Sequence, residues 1–356
     1  MRTRLRDCLE NLLLTHSPSG LEREIDEVIG RELDGLGCPF DEDGAGNLVV
    51  RLAGRAADAP PLLITAHKDE LGLMVRRIDE AGRIWLEAMG GCRPAKYGEG
   101  PFDIMTRTGV VPGVLCVGST HSSALSSRVQ ASKDGTGNWD LLYIDCGCDR
   151  EALHERGVRV GDRAVIGRHR KPPLFLDDGI VCGYGLDDKA GVAVLLELIH
   201  HWQAEPPARP VCLGFTTNEE PGCSGGVYLC RSLDIEEFLA VEIAPLAEEY
   251  DVAFDDRPVV LFKDGVQPYD AQLSWRLVDA IAGLGMEPQR QLVRSFGSEA
   301  SAAAKIGVAA RAACIGFPTR NTHGYEMTRL GALEQTVRAV AAFVELPQSR
   351  RSTTPG

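Results

Sequence analysis

The stretch GYGLDDKAGVAVLLELIHHW, Gly183 to Trp202, decides the fold. It opens with two adjacent carboxylates, Asp187 and Asp188, and runs directly into an apolar helix. Val192, Leu195, Leu196 and Ile199 recur there at helical spacing. Two neighbouring acids at the mouth of a buried helix repel each other and lose water, which is costly unless a cation sits between them. Just downstream, VCLGFTTNEEPG (211–222) places a second acidic pair, Glu219 and Glu220, at the end of an apolar strand. Two acidic pairs joined through one helix point to a metal site. The competing reading is a helix cap by Asp187 and a polar loop at Glu219, but capping does not need paired acids on neighbouring elements.

Working outward, the flanking chain alternates strand and helix. Residues 4–36 read as two amphipathic helices broken by SPSG (17–20), and GNLVVRL (46–52) as a strand. PLLITAH ends a strand on His67, with Asp69 two residues on. Beyond Gly179, strands are expected at 211–217, 238–243 and 259–262. A helix is expected at 271–284, then QLVRSF (291–296) as a strand and EASAAAKIG as a helix. RAACIGF reads as another strand and 330–346 as a long helix. This rhythm makes an α/β fold, a mostly parallel sheet flanked by helices. Between the two halves, short apolar runs alternate with glycines: RIWLEAMGG, DIMTRTGVVPGVLCVGS, DLLYIDCG and VRVGDRAVIG. That is the pattern of an inserted small all-β domain, a barrel or sandwich. The expected organisation is a first α/β part over 1–72, an inserted domain over 73–174, a second α/β part over 175–347 and a disordered tail over 348–356. The polar stretch 122–140 reads as a mobile surface loop.

Composition bounds the function. A chain of 356 residues with 44% hydrophobic and 25% charged content is an ordinary globular protein of about two domains. A net charge of -13 argues against nucleic-acid or anionic-membrane partners. No apolar run approaches a membrane span, and acids interrupt the N-terminal stretch too early for a signal peptide. The eleven cysteines include no C-x-x-C pair and several sit in apolar patterns, as expected of buried free thiols in a reducing cytoplasm.

The candidate constellation is His67, Asp187, Glu219, Glu220, Glu242 and His323, all expected at strand ends of the α/β part. Two imidazoles and four carboxylates suit zinc, cobalt or manganese. Six candidates exceed the three protein ligands of a mononuclear catalytic site and suggest two ions sharing a carboxylate. The remaining six histidines have no framing acids and read as surface or core residues. Asp69 beside His67 is a plausible acceptor fixing its tautomer. Glu242, flanked by FLAV and IAP, would be a costly buried charge unless it binds metal or pairs with an arginine or lysine.

These residues and their order resemble the cocatalytic metalloaminopeptidases of the glutamyl aminopeptidase and tetrahedral (TET) aminopeptidase group. The resemblance covers nearly the whole chain, through SPSG, AHKDELGLMV, LYIDCGC…GVRVGD, GLDDKAG, NEEPG and PTRNTHG. It implies that Asp187 bridges two metals, that His67 and Glu242 complete one site, and that Glu220 and His323 complete the other. Asp69 would orient His67, and Glu219 would be the general base. It also implies zinc, cobalt or manganese as cofactor, short peptides as substrate, and homo-oligomers from dimer to dodecamer assembled through the inserted domain. This chain departs from the group at Glu242, where aspartate is usual and where glutamate is more at home in carboxypeptidases and deacylases. PGCSGG after Glu220 and the residues around His323 also differ.

The expected reaction is release of N-terminal residues from short peptides by a two-metal-activated water, with a glutamate taking its proton. A related dinuclear deacylase or carboxypeptidase is the nearest alternative. A non-catalytic assembly protein on the same scaffold should have lost ligands, and a glycan hydrolase would leave both histidines idle.

Overall fold

A computed structural model of the protein describes residues 1–119, 121, 138–176 and 179–347. The loop reading of 122–140 falls largely outside these residues, and the tail reading of 348–356 wholly so. The strands in chain order are β1 (Phe40–Glu42), β2 (Leu48–Leu52), β3 (Leu62–His67), β4 (Gly72–Ile78), β5 (Ile84–Met89), β6 (Gly100–Thr106), β7 (Gly109–Cys116), β8 (Tyr143–Asp145) and β9 (Arg163–Ile166). They continue as β10 (Leu174–Leu176), β11 (Ile180–Tyr184), β12 (Val211–Thr216), β13 (Glu237–Pro245), β14 (Val259–Lys263), β15 (Gln289–Leu292), β16 (Arg311–Thr319) and β17 (Tyr325–Arg329).

One eight-stranded sheet has the order β1-β2-β12-β3-β13-β16-β14-β15. Its centre, from β12 through β3 and β13 to β16, is parallel, and antiparallel pairs lie toward the edges. The strands β4 to β9 close into a separate antiparallel barrel with its own apolar core. This is the α/β class with a small all-β insertion expected from the alternation of elements.

Helices cover both faces of the large sheet. The Arg2–Leu13, Leu186–Ala204, Ala271–Gly283 and Leu330–Glu345 helices share one apolar core, and the Ser224–Leu233 and Glu299–Lys305 helices lie in the core of the other face. The Leu186–Ala204 helix is buried nearly all round, because it packs on the sheet and beneath the Arg2–Leu13 and Leu330–Glu345 helices. Each buried Leu or Ile there contributes roughly 1.5–3 kcal/mol, so truncating Leu195 to alanine would cost about 2–5 kcal/mol.

Several elements differ from expectation, among them the three-stranded sheet β10-β11-β17, which the expected strands do not include. The strand read at 291–296 lies at Gln289–Leu292, where the inward positions are Gln289 and Gln291 and the outward ones Arg290 and Leu292. The glutamines are buried because they hydrogen-bond backbone carbonyls, Gln291 to Pro245 at 2.7 Å and Gln289 to Arg257 at 3.0 Å. Hydrophobic alternation therefore points the wrong way. The Ser224–Leu233 helix is not among the elements expected from the sequence. No helix among the described residues is long and apolar enough to cross a membrane.

Candidate active site

The parallel centre of the sheet brings its carboxyl ends together. His67 is the last residue of β3 and lies in register with Thr216, the last residue of β12. Glu219 and Glu220 follow in the turn past β12, with Asn218 at φ 52°. Glu242 is not at a strand end: it lies inside β13, which outruns β3. The β13–β3 register pairs Ala240 with Thr65, so two residues on Glu242 is level with His67. His323 sits in the tight turn between β16 and β17, at φ 60°. Asp187 and Asp188 are joined by a cis peptide and have non-helical dihedrals, so regular helix begins only after them.

The six sequence-derived candidates meet in one cleft. His67 Nε2 lies 3.1 Å from Asp187 Oδ1, 3.8 Å from Glu219 Oε2 and 4.0 Å from Glu242 Oε1. His323 Nε2 lies 3.5 Å from Asp187 Oδ2 and 3.9 Å from Glu220 Oε2. The two oxygens of Asp187 thus face the two imidazoles separately. Donor atoms of His67, Asp187 and Glu220 converge closely enough to hold an ion, as do those of His67, Asp188 and Glu242. Asp188 is already engaged, however, accepting from the His67 amide at 3.2 Å and the Gly191 amide at 3.1 Å. A Cβ at Gly191 would fall 2.3 Å from the Asp188 carboxylate, so only glycine permits that second bond.

Asp69 holds this edge together in an unexpected way. His67 Nδ1 lies 3.1 Å from the Asp69 backbone carbonyl and 3.4 Å from its carboxylate. The carboxylate itself accepts from Ser19 Oγ at 2.6 Å and from the amides of Glu219 at 3.0 Å and Glu220 at 3.2 Å. It therefore positions the Glu219–Glu220 turn as well as the imidazole. Glu326, which drew no attention in the sequence, accepts from the His323 amide at 2.8 Å and the Asp187 amide at 3.0 Å. Alternation hides it: in the strand Tyr325–Arg329 the residues Glu326 and Thr328 read as the polar face, yet they are the buried ones. From the barrel side, Gly91 touches the His323 ring: its carbonyl lies 3.4 Å from Nδ1, and a Cβ there would come within 2.5 Å of the ring.

The site is electrostatically unbalanced. Burial pushes Glu219 up to about 7, with His67 opposing and Asp69 adding to the rise. Burial, reinforced by the charge of Asp187, raises Glu220 and Glu242 well above the usual carboxylate range. Burial would lower both imidazoles, but the surrounding carboxylates prevail. His67 is raised well above its ordinary value, by Glu219 and Asp187 first, and His323 is raised to about 10, by Asp187 and Glu220. Glu220 Oε1 is buried with no hydrogen-bond partner among the described residues. No described arginine or lysine pairs with Glu242. Surplus buried carboxylate, mixed nitrogen and oxygen donors and an orphaned buried oxygen are what a divalent cation would satisfy. The cleft has a volume of about 650 Å³ and is also lined by Arg93, Lys96, Cys223 and Phe296.

Set beside known proteins, this fold and site define a hydrolase acting on peptide bonds. More narrowly, the chain belongs to the M42 glutamyl aminopeptidase family, whose profile matches residues 46–338. It is 28% identical over 350 residues to the protein YhfE of Bacillus subtilis, covering 96% of this chain and 97% of that one. It is 24% identical over 250 residues to the glutamyl aminopeptidase of Lactococcus lactis, covering 69% of this chain and 68% of that one. Among solved structures it resembles the TET1 peptidase of Pyrococcus horikoshii, which can assemble into a tetrahedron or a large octahedral shell. There the TM-score is 0.82 at 26% identity, covering 96% of this chain and 99% of that one.

Proposed function

We propose that the protein is a metal-dependent aminopeptidase that removes N-terminal residues from short peptides using two divalent ions, zinc foremost, with cobalt or manganese as alternatives. The observation that carries this reading is the division of Asp187, one oxygen toward His67 and the other toward His323. That is the placement of a carboxylate shared by two ions. His67 and Glu242 would hold one ion and Glu220 and His323 the other, with Asp69 positioning His67. Bound there, the ions would polarise the scissile carbonyl and acidify water. Glu219 is the general base: its Oε2 faces His67, and its elevated proton affinity suits transfer near neutrality. It takes the proton of the attacking water and delivers it to the leaving amine.

A carboxypeptidase-type reading is favoured by glutamate at position 242 and by the presence of Arg93 and Lys96 in the same cleft. Arg93 and Lys96 would hold a C-terminal carboxylate. A panel of aminoacyl amides, N-acylated peptides and free peptides, run on chelator-treated protein with zinc, cobalt or manganese added back, separates the two. Turnover of aminoacyl amides and free peptides, with N-acylated peptides untouched, supports the first reading; turnover of N-acylated peptides replaces it with the second.

We further propose that the chain forms homo-oligomers, with residues 73–174 as the assembly domain. The assembly of the Pyrococcus horikoshii relative supports this, as do the exposed Val110, Val114 and Val160 on the barrel side. Light scattering tests it. The eleven cysteines are all free, which fits a cytoplasmic location.

A further inference from the structure

Cys223 lines the cleft beside the carboxylate read above as the base. Its Sγ lies 3.1 Å from Glu219 Oε1, and its backbone N–H donates to the Glu219 carbonyl at 2.7 Å. The residue stands at φ 60°, capping the Ser224–Leu233 helix, so its backbone is fixed on both sides. Among the described residues the thiol is the hydrogen-bond donor to the Glu219 side chain. The other oxygen, Oε2, is left facing His67 at 3.8 Å. Burial, with the charges of Glu219 and Glu299 behind it, raises the thiol, so it remains a protonated donor.

We propose that Cys223 is a positioning residue. Its S–H ties one oxygen of Glu219 so that the other stays turned to the reacting centre. The inference rests on Glu219 being the base. A thiol is a weak donor, so it can fix the carboxylate without stripping it of basicity, as a charged donor would. Without it, Glu219 χ angles are free to leave the productive arrangement, and the loss falls on turnover and not on substrate affinity.

The test compares Cys223→Ala with Cys223→Ser. The alanine variant is expected to lose about tenfold in kcat, the scale of one neutral hydrogen bond, with KM and bound metal unchanged. The serine variant keeps a donor and is expected to stay within about threefold of the parent. A parent-like kcat in the alanine variant overturns the proposal, as does a serine variant as impaired as alanine, since that makes the role one of packing. A readout independent of activity is the S–H stretch of Cys223, isolated as the Raman difference between parent and Cys223→Ala protein. It is expected below the frequency of a free thiol, and to rise when Glu219→Leu removes the acceptor. A free-thiol band in the parent overturns the proposal even if peptidase activity is found. Should no peptide turn over, the base assignment falls, while the band still decides whether the thiol holds the carboxylate.

Discussion

Two buried ionic clusters lie back to back, divided by the peptide between Asp69 and Glu70. Asp69 belongs to the first, gripping the Glu219–Glu220 turn beneath His67. Glu70 belongs to the second. It lies 2.6 Å from Lys171 Nζ and 3.2 Å from Lys189 Nζ, both lysines fully buried, and it accepts the Ser17 amide at 2.8 Å. Both lysines also donate to the Thr15 carbonyl. Burial would raise Glu70, but Lys171 and Lys189 outweigh it and take it down to about 2. The second cluster brings its own counter-ions from the chain, whereas the first gathers Asp69, Asp187, Asp188, Glu219, Glu220, Glu242 and Glu326 about two imidazoles, with no described lysine or arginine paired with them. A buried acid group that is structural is neutralised by its own protein; one left in surplus is a site for something drawn from solvent.

The sharpest way to break this contrast is to strip divalent ions with a chelator. Peptidase activity is expected to fall to background and return with added zinc, cobalt or manganese. A chelated protein of full activity ends the reading of the first cluster. Next, Glu219→Gln should lower kcat by roughly 10²–10⁴-fold while metal content, read by elemental analysis, holds. The mirror experiment is Glu70→Gln. It leaves two buried ammoniums facing a neutral amide and should destabilise the fold by about 3–5 kcal/mol, measured by urea unfolding, without changing metal stoichiometry.

The clusters should also differ in the sign of their pH dependence. Glu219 is raised from 4.5 to about 7 in the folded chain, so in chelated protein its contribution is present below 4.5 and lost as pH climbs through 7. Glu70 is lowered from 4.5 to about 2, so its contribution is present above 4.5 and lost as pH falls toward 2. Stability curves of Glu219→Gln and Glu70→Gln should each lack one of these slopes. The smallest effect concerns the cleft wall. Arg93→Ala should weaken peptides bearing a free carboxylate, relative to their amides, by no more than about fivefold in KM, because an exposed ion pair is worth at most about 1 kcal/mol. Equal KM ratios in parent and variant would remove Arg93 from substrate binding.

Much of the first cluster was legible because its acids interrupt apolar runs. Glu242 sits within FLAVEIAP, and Asp187 opens an apolar helix, so each advertises a desolvated charge. The second cluster was not legible. Glu70, Lys171 and Lys189 lie in ordinary mixed-polarity stretches, and only the tertiary fold makes them neighbours. Glu326 escaped for the same reason: its two donors are backbone amides 3 and 139 residues away along the chain. The Gln289–Leu292 strand misled because buried glutamines satisfy backbone carbonyls, a use of polarity that alternation cannot see.

The contact between Gly91 and the His323 ring has a consequence for engineering. Gly91 lies on the link leaving β5 of the barrel, while His323 hangs from the large sheet. The insertion is thus a jig for the chemistry as well as a lobe with its own core. Cutting it out would remove one wall of the His323 ring, and any displacement of the barrel at Gly91 would be felt by that imidazole.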